Sequence, residues 1–192
     1  TRLHHAPAVL KACRELEKKT YEAAKEGGVP ICLGGDHSLS VGSVAGVARA
    51  FRDNGEKIGL IWVDAHADIN TPETSSSGNV HGMPVAHVLG LGDPALREVG
   101  GFSPKVLPAN AVLVGIRDLD EGEKRIIGES GIRVFTMKDI DRHGISHVME
   151  EAIEVASQNA TGIHVSFDID SLDPSVARGV GTPVKGGLTY RE

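Results

Sequence analysis

The sequence predicts an α/β fold: a parallel sheet covered by helices on both faces, three layers (α-β-α) in all. Two observations carry this. Short apolar runs of four to six residues alternate with helical patterns along the chain. Within the runs, successive positions are apolar rather than every second one, as in strands buried on both faces; half-solvated strands alternate instead. Right-handed crossovers then gather the strands' carboxyl ends on one edge, where open α/β sheets hold their ligands.

Residues 7–26 are predicted helical. Pro7 suits a first turn, Val9, Leu10, Cys13 and Leu16 share a face, and Gly27-Gly28 ends the run. Val29 to Leu33 is a short apolar run stopping at Gly34-Gly35, expected as a buried strand. A helix over 39–52 groups Val41, Val44, Ala48 and Phe51, and 58–63 is a second strand. Residues 68–80, with Asn70, Pro72, three serines, Gly78 and Asn79, predict a loop. A short helix over 83–90, carrying His87 as a surface or core residue, and a connector over 100–110 follow. Next come a third strand at 111–116, a helix at 121–130 and a fourth strand at 132–135. Helices over 136–142 and 145–157, the second carrying Ile145, Val148, Met149, Ala152 and Ile153, precede a fifth strand at 163–167. With no repeat and no linker, residues 1–192 are expected to form a single domain. The chain opens on Thr1 and closes on Thr189-Tyr190-Arg191-Glu192, a pattern that normally starts a helix, so a domain truncated at both ends is expected.

Of 192 residues, 40% are hydrophobic and 24% charged, which argues against a disordered or collagen-like chain. A formal net charge of −6 argues against nucleic acid as a partner. No apolar run approaches the roughly 18 residues of a membrane span. Cys13 and Cys32 cannot make a disulfide scaffold, and no signal-peptide pattern is present. The expected compartment is the cytoplasm, with the mitochondrial matrix as the alternative.

Three polar clusters follow three predicted strands: Gly34-Gly35-Asp36-His37-Ser38, Asp64-Ala65-His66-Ala67-Asp68 and Asp168-Ile169-Asp170. In the last two the polar residues stand two apart, which on extended backbone turns them to one side. Four aspartates gathered on one edge repel and are poorly solvated without a cation. A lone Asp-x-Asp commonly just shapes a turn, but three clusters at βα junctions point to a metal site. Carboxylates with imidazole suit Mn(II), with Fe(II), Co(II) and Zn(II) as competitors. The lack of cysteine argues against structural zinc. Six ligands are too many for one ion with an open position, so two divalent ions sharing carboxylates and a bridging water are expected.

These segments, extended to Asp64-Ala65-His66-Ala67-Asp68-Ile69-Asn70 and Ser166-Phe167-Asp168-Ile169-Asp170, resemble the three signature motifs of the ureohydrolase family. Ser75-Ser76-Ser77-Gly78-Asn79-Val80-His81-Gly82 and Gly181-Thr182-Pro183 resemble the arginase branch in particular. The resemblance covers essentially all 192 residues. Ala67 stands where a threonine is common in the family; lying between ligands, it is expected to point away.

The resemblance implies an arginase-like fold and two Mn(II) ions. One would be held by His37, Asp64, Asp68 and Asp168, the other by Asp64, His66, Asp168 and Asp170, with Asp64 and Asp168 bridging. It implies hydrolysis of L-arginine to L-ornithine and urea, a metal-bridging hydroxide attacking the guanidinium carbon and Asp170 passing a proton to the leaving amine. His81 stands at the family's proton-shuttle position. Asn70, Ser77 and Asn79 are neutral donors suited to the substrate α-carboxylate. Asp120 and Glu123 are acceptors suited to its α-ammonium, although acids in a helix's first turn also serve the helix dipole. Thr182 would line the substrate side. A homo-oligomer, trimer or hexamer, is implied. So are an opening strand ahead of Thr1 and, past Glu192, a carboxylate for the guanidinium. The alternatives are an agmatinase- or formiminoglutamase-type amidinohydrolase, or a non-catalytic metal-binding homologue.

Overall fold

The computed structural model describes residues 3–192, which divide into two compact units. One comprises the chain up to Ile58 together with Asp68–Leu107; the other comprises Gly59–Ala67 and Pro108–Glu192.

The first unit is helical, with α1 (Ala6–Lys25), α2 (Ser40–Asp53), α3 (Pro84–Val88) and α4 (Pro94–Arg97). Cys13, Val41, Ala45 and Val99 form a small core, with Val9 and Leu10 packed against it. α2 is buried nearly all round, and small residues let α1 approach it closely. A Cβ added at Gly46 would lie 2.0 Å from Thr20 Oγ1 and 2.3 Å from the Glu17 carbonyl oxygen, so only glycine fits that seam. The buried Glu17 carboxylate is paired with Arg49 at 2.9 Å. His87, on α3, takes the core reading: its ring is fully buried, which pushes the imidazole down to about 4.

The strand expected at Val29 to Leu33 is not formed. The segment joins no strand pairing among the described residues, and Val29, Ile31 and Leu33 are 89%, 85% and 94% exposed. A strand exists through its ladder of hydrogen bonds to a neighbour, and an apolar run alone supplies none.

The second unit carries the sheet, from Gly59 onward. Its strands are β1 (Ile58–Val63), β2 (Ala111–Ile116), β3 (Arg133–Thr136) and β4 (Gly162–Phe167), in the order β3-β2-β1-β4. β2 pairs in parallel with both β1 and β3. All six residues of β1 and of β2 are buried, as their uninterrupted apolar runs predict. The helices are α5 (Glu121–Ser130), α6 (Met137–His143) and α7 (Ile145–Ala156). Ile61, Val63, Val112, Val114 and Phe135 pack with Ile140 of α6 and Val148, Ala152 and Ala156 of α7. β4 differs from its expectation as a doubly buried strand: at the sheet edge it leaves Val165 and Phe167 about half exposed. The Thr189 amide and hydroxyl reach Glu192 Oε2 at 2.9 and 2.5 Å, so that pairing forms as its spacing predicts. No helix among the described residues is long and apolar enough to cross a membrane.

Gly46→Ala is expected to cost about 1–3 kcal/mol by overpacking the α1–α2 seam, read from urea unfolding midpoints. An unchanged midpoint would show that the seam relaxes freely. His87 predicts acid sensitivity. Its folded pKa of about 4 lies below the ordinary 6.5, so the unfolded chain takes up the proton first. Stability is therefore unaffected by this group above 6.5 and falls as the pH drops toward about 4. His87→Leu should flatten that limb of the stability–pH curve; identical slopes would remove His87 as its cause.

Candidate metal centre

In the second unit, β1 ends at Val63 and the next residue carries chemistry. The Asp64 amide donates to the Val114 carbonyl at 3.0 Å, extending the sheet ladder past the strand. The Asp64 carboxylate is 1% exposed; Oδ2 accepts from Trp62 Nε1 at 2.9 Å and Oδ1 from the His66 amide at 2.7 Å. On the neighbouring strand end, the Asp168 amide donates to the Val63 carbonyl at 2.9 Å, and Asp168 Oδ1 accepts from the Asp170 amide at 2.8 Å. This cap starts the short 3-10 turn Ile169–Ser171, which carries Asp170 inward to 3% exposure. Asp170 Oδ1 accepts from the Ala65 amide at 3.2 Å and Oδ2 from the Thr182 hydroxyl at 2.9 Å.

The His66 imidazole completes the group. Its Nδ1 lies 3.0 Å from Asp170 Oδ2 and 3.4 Å from Asp64 Oδ1. Hydrogen bonding to Asp170 and Asp64 outweighs burial and pushes His66 up to about 10. A proton on His66 therefore offsets part of the charge of the two buried acids.

In the first unit, Asp36 caps the 3-10 turn His37–Leu39 by accepting the Ser38 amide at 3.0 Å. His37 Nδ1 lies 3.3 Å from Asp68 Oδ2. Asp68 is buried and adopts φ 50°, the left-handed region that strains a residue with a Cβ. The loop beyond it is tied down locally. The Asn70 amide donates to the Gly82 carbonyl at 3.1 Å, and Asn70 Oδ1 accepts from the Thr74 hydroxyl at 2.7 Å. Ser75 Oγ accepts the Gly78 amide at 2.9 Å, and Ser77 Oγ the Asn79 amide at 3.2 Å. Ser77 and Asn79 stay exposed. His81 Nδ1 sits 3.2 Å from Asp36 Oδ2, and this contact holds the Asp36 carboxyl well below the usual carboxylate range.

The arrangement fits a divalent cation. Asp64, His66 and Asp170 each offer a ligand atom, all within 4.8 Å of one another, and two of the three residues are buried. Hard carboxylate oxygens with one imidazole form a set that a cation of the Mn(II), Fe(II), Co(II) or Zn(II) class accepts. Asp168 adjoins this group, its Oδ1 accepting the Asp170 amide, and within the first unit His37 and Asp68 form a pair. Of the other predicted residues, Thr182 meets Asp170 directly. Asp120 and Glu123 are engaged with each other: Asp120 Oδ1 accepts the Glu123 amide at 2.9 Å, and Glu123 Oε2 the Asp120 amide at 3.2 Å. This is the helix-capping role that their positions also allowed.

Sequence reasoning missed two neighbours. Asp118 Oδ2 lies 3.8 Å from His66 Nε2, on the side of the ring away from the buried acids. The Arg117 guanidinium donates to the Asp170 carbonyl at 2.7 Å. A basic residue beside an acid just past a strand reads as an ordinary surface pair, so neither carried a distinguishing signal.

Residues 2–192 match the model of the Arginase family. The chain is 52% identical over 192 residues to an arginase of Bacillus caldovelox, covering 100% of this chain and 63% of that one. It is 47% identical over 190 residues to an arginase of Bacillus subtilis (strain 168), covering 99% and 62%. The solved structure of the Bacillus caldovelox arginase, native at pH 5.6, matches with a TM-score of 0.94 at 52% identity, covering 99% of this chain and 62% of that one. The chain thus spans a little over three fifths of the length of these relatives.

Because His66 carries a proton up to about 10, a metal at Nδ1 has to displace it. Mn(II) uptake is expected to release protons and to tighten between about pH 7 and about pH 9, as calorimetry in two buffers of different ionisation enthalpy would read. Uptake that neither releases protons nor varies with pH would take His66 out of the ligand set.

Proposed function

The chain belongs to the arginase family, and on that premise we propose that the protein hydrolyses the guanidinium group of L-arginine, giving L-ornithine and urea, with two Mn(II) ions. The observation that carries this reading is the convergence of Asp64, His66 and Asp170 within ligand distance of one another. Relatives named arginase at 52% and 47% identity support the substrate. Following the family motif, one ion falls to His37, Asp64, Asp68 and Asp168 and the other to Asp64, His66, Asp168 and Asp170. Bound ions of this kind supply a water acidic enough to act as a nucleophile near neutral pH.

The protein's own groups do the rest. By the family motif we assign to Asp170 the passing of a proton to the departing amine, while the Thr182 hydroxyl, donating to Oδ2 at 2.9 Å, holds its carboxylate in place. Asp36 fixes the His81 ring through Nδ1, which assigns proton exchange with solvent to Nε2. Asn70, Ser77 and Asn79 are assigned to the substrate α-carboxylate; the loop's internal hydrogen bonds order the exposed Ser77 and Asn79 before any ligand arrives. For the α-ammonium, Asp120 is exposed while Glu123 is buried, so Asp120 takes the direct contact and Glu123 holds the cap. Thr182 lines the substrate side beside Asp170. We assign residues 1–192 to one ureohydrolase domain that assembles as a trimer or hexamer.

The decisive assay is urea release from L-arginine and from agmatine, with and without Mn(II), in the chain and in a version extended to its relatives' length. Mn(II)-dependent release with arginine preferred is expected of the extended version, with slow or no turnover in the chain alone, whereas preference for agmatine would move the protein to another amidinohydrolase class. Asp64→Asn should abolish metal-dependent turnover, and retained turnover would remove Asp64 as a ligand. Ser77→Ala should raise KM for arginine about tenfold, the worth of one hydrogen bond to a charged group, with kcat nearly unchanged. An unaltered KM would take Ser77 out of recognition.

A further inference from the structure

Arg117 follows β2 and stands half-buried in the second unit. A guanidinium taken partly out of water ordinarily finds a carboxylate, but among the described residues Arg117 makes no ion pair. Its donors go to backbone carbonyls alone. Nη2 reaches the Asp170 carbonyl at 2.7 Å and that of Val184 at 2.8 Å, with Leu172 at 3.4 Å; Nη1 reaches Ser171 at 3.2 Å and Gly115 at 3.3 Å; Nε reaches Val184 at 3.3 Å.

Three of these acceptors belong to consecutive residues, 170 to 172, at the close of the turn that delivers Asp170. The last carbonyls of a short helical turn lack partners within it, and a cation there satisfies them. Of the other two, Val184 lies two residues from Thr182, whose hydroxyl meets the Asp170 carboxylate. Arg117 therefore grips Asp170 from behind by its main chain and anchors the segment that brings Thr182 to its side chain. The surrounding backbone makes room for this fork. A Cβ at Gly187 would lie 2.5 Å from Arg117 Nη2 and 2.6 Å from the Ser171 carbonyl oxygen. The Leu188 amide then closes the arrangement by donating to that same carbonyl at 3.0 Å.

We propose that Arg117 is a positioning residue of the metal centre: by clamping the carbonyls of 170–172 and 184, it sets the aim of the Asp170 carboxylate beside His66, and so the affinity of the ion that this pair holds. The claim rests on the dimetal reading for its consequence, though not for its geometry. The planar fork matters as well as the charge, because a lysine ammonium has three donors on a flexible stem and cannot span the same acceptors.

The test compares wild type, Arg117→Lys and Arg117→Met by Mn(II) titration, following free Mn(II) by electron paramagnetic resonance, and by amide hydrogen exchange with per-residue resolution. In Arg117→Met, one of the two ions is expected to bind roughly 10–100-fold more weakly, the usual cost of removing a group that orients a ligand, while the other keeps its affinity. The amides of Ser171, Leu172 and Leu188 should exchange at least about tenfold faster, with those of α7 unchanged, about 1.4 kcal/mol of local opening. Arg117→Lys should fall between. Wild-type affinity for both ions together with wild-type exchange at 171–172 in Arg117→Met would overturn the proposal, as would faster exchange spread evenly through α7 and the sheet. If Arg117→Met does not fold, the same readouts on Arg117→Lys decide. Should wild type bind no Mn(II), the dimetal reading fails, and the exchange of 171–172 alone then upholds or overturns the clamp.

Discussion

Buried carboxylates set the terms for this molecule. Asp64 and Asp170 are 1% and 3% exposed and face the same imidazole. Two such anions removed from water carry a penalty of several kcal/mol each unless every oxygen finds a donor and some positive charge sits between them. The chain meets the demand with fixed parts. Trp62 is fully buried and its indole N–H needs an acceptor, so the contact to Asp64 at 2.9 Å satisfies both groups at once. Backbone amides of Ala65 and His66 and the Thr182 hydroxyl serve the remaining oxygens, and the protonated His66 supplies positive charge. A site built this way is preorganised for a cation, because the donors around the acids are already in place when a metal replaces the proton.

The same problem, a charge taken out of water, has a second solution in the cations. Arg117 uses main-chain carbonyls instead of a carboxylate. In the first unit Lys105 does likewise: it is 7% exposed, donates to the carbonyls of Arg97 at 2.6 Å and of Phe102, and is pulled down by burial to about 8. Carbonyl acceptors stabilise a cation without cancelling it. Arg117 therefore leaves its positive field available to Asp170 and Asp64, where an ion pair would have spent it on a single partner.

Much of this was legible in the residues, and the boundary is physical. β1 and β2 were readable because a parallel strand covered on both faces has no polar positions, and each came out buried throughout. The cluster of Asp64, His66 and Asp170 was readable because acids and a histidine two apart at strand ends make little sense without a cation. Val29 to Leu33 misled for the complementary reason: hydrophobicity marks what a strand side chain prefers, while the ladder partner that makes a strand is not written in the segment. Asp120 and Glu123 were legible twice over, since one pattern suits both a helix cap and an ammonium, and they form the capping box of α5. Arg117 was illegible because its partners are carbonyls, which every residue has; only the folded path of 170–172 and 184 gathers them.

Asp68 ties its contact with His37 to the loop assigned to substrate recognition. Asp68 adopts the left-handed region at φ 50°. For a residue with a Cβ this costs about 1–2 kcal/mol, less for an aspartate than for a branched side chain. The Asp68 carbonyl accepts from Val85 and the Asn70 amide donates to Gly82, so the strained turn is pinned from both sides by the far end of the same loop. Relaxing φ at Asp68 would swing its carboxylate from His37 and would also shift Asn70, with Ser77 and Asn79 beyond it. The loop's own hydrogen bonds therefore hold the strain in place, and one backbone torsion governs both the aim of the Asp68 carboxylate at His37 and the position of the residues assigned to the α-carboxylate. A loop rooted in this way cannot drift in length or register without moving the Asp68 carboxylate from His37.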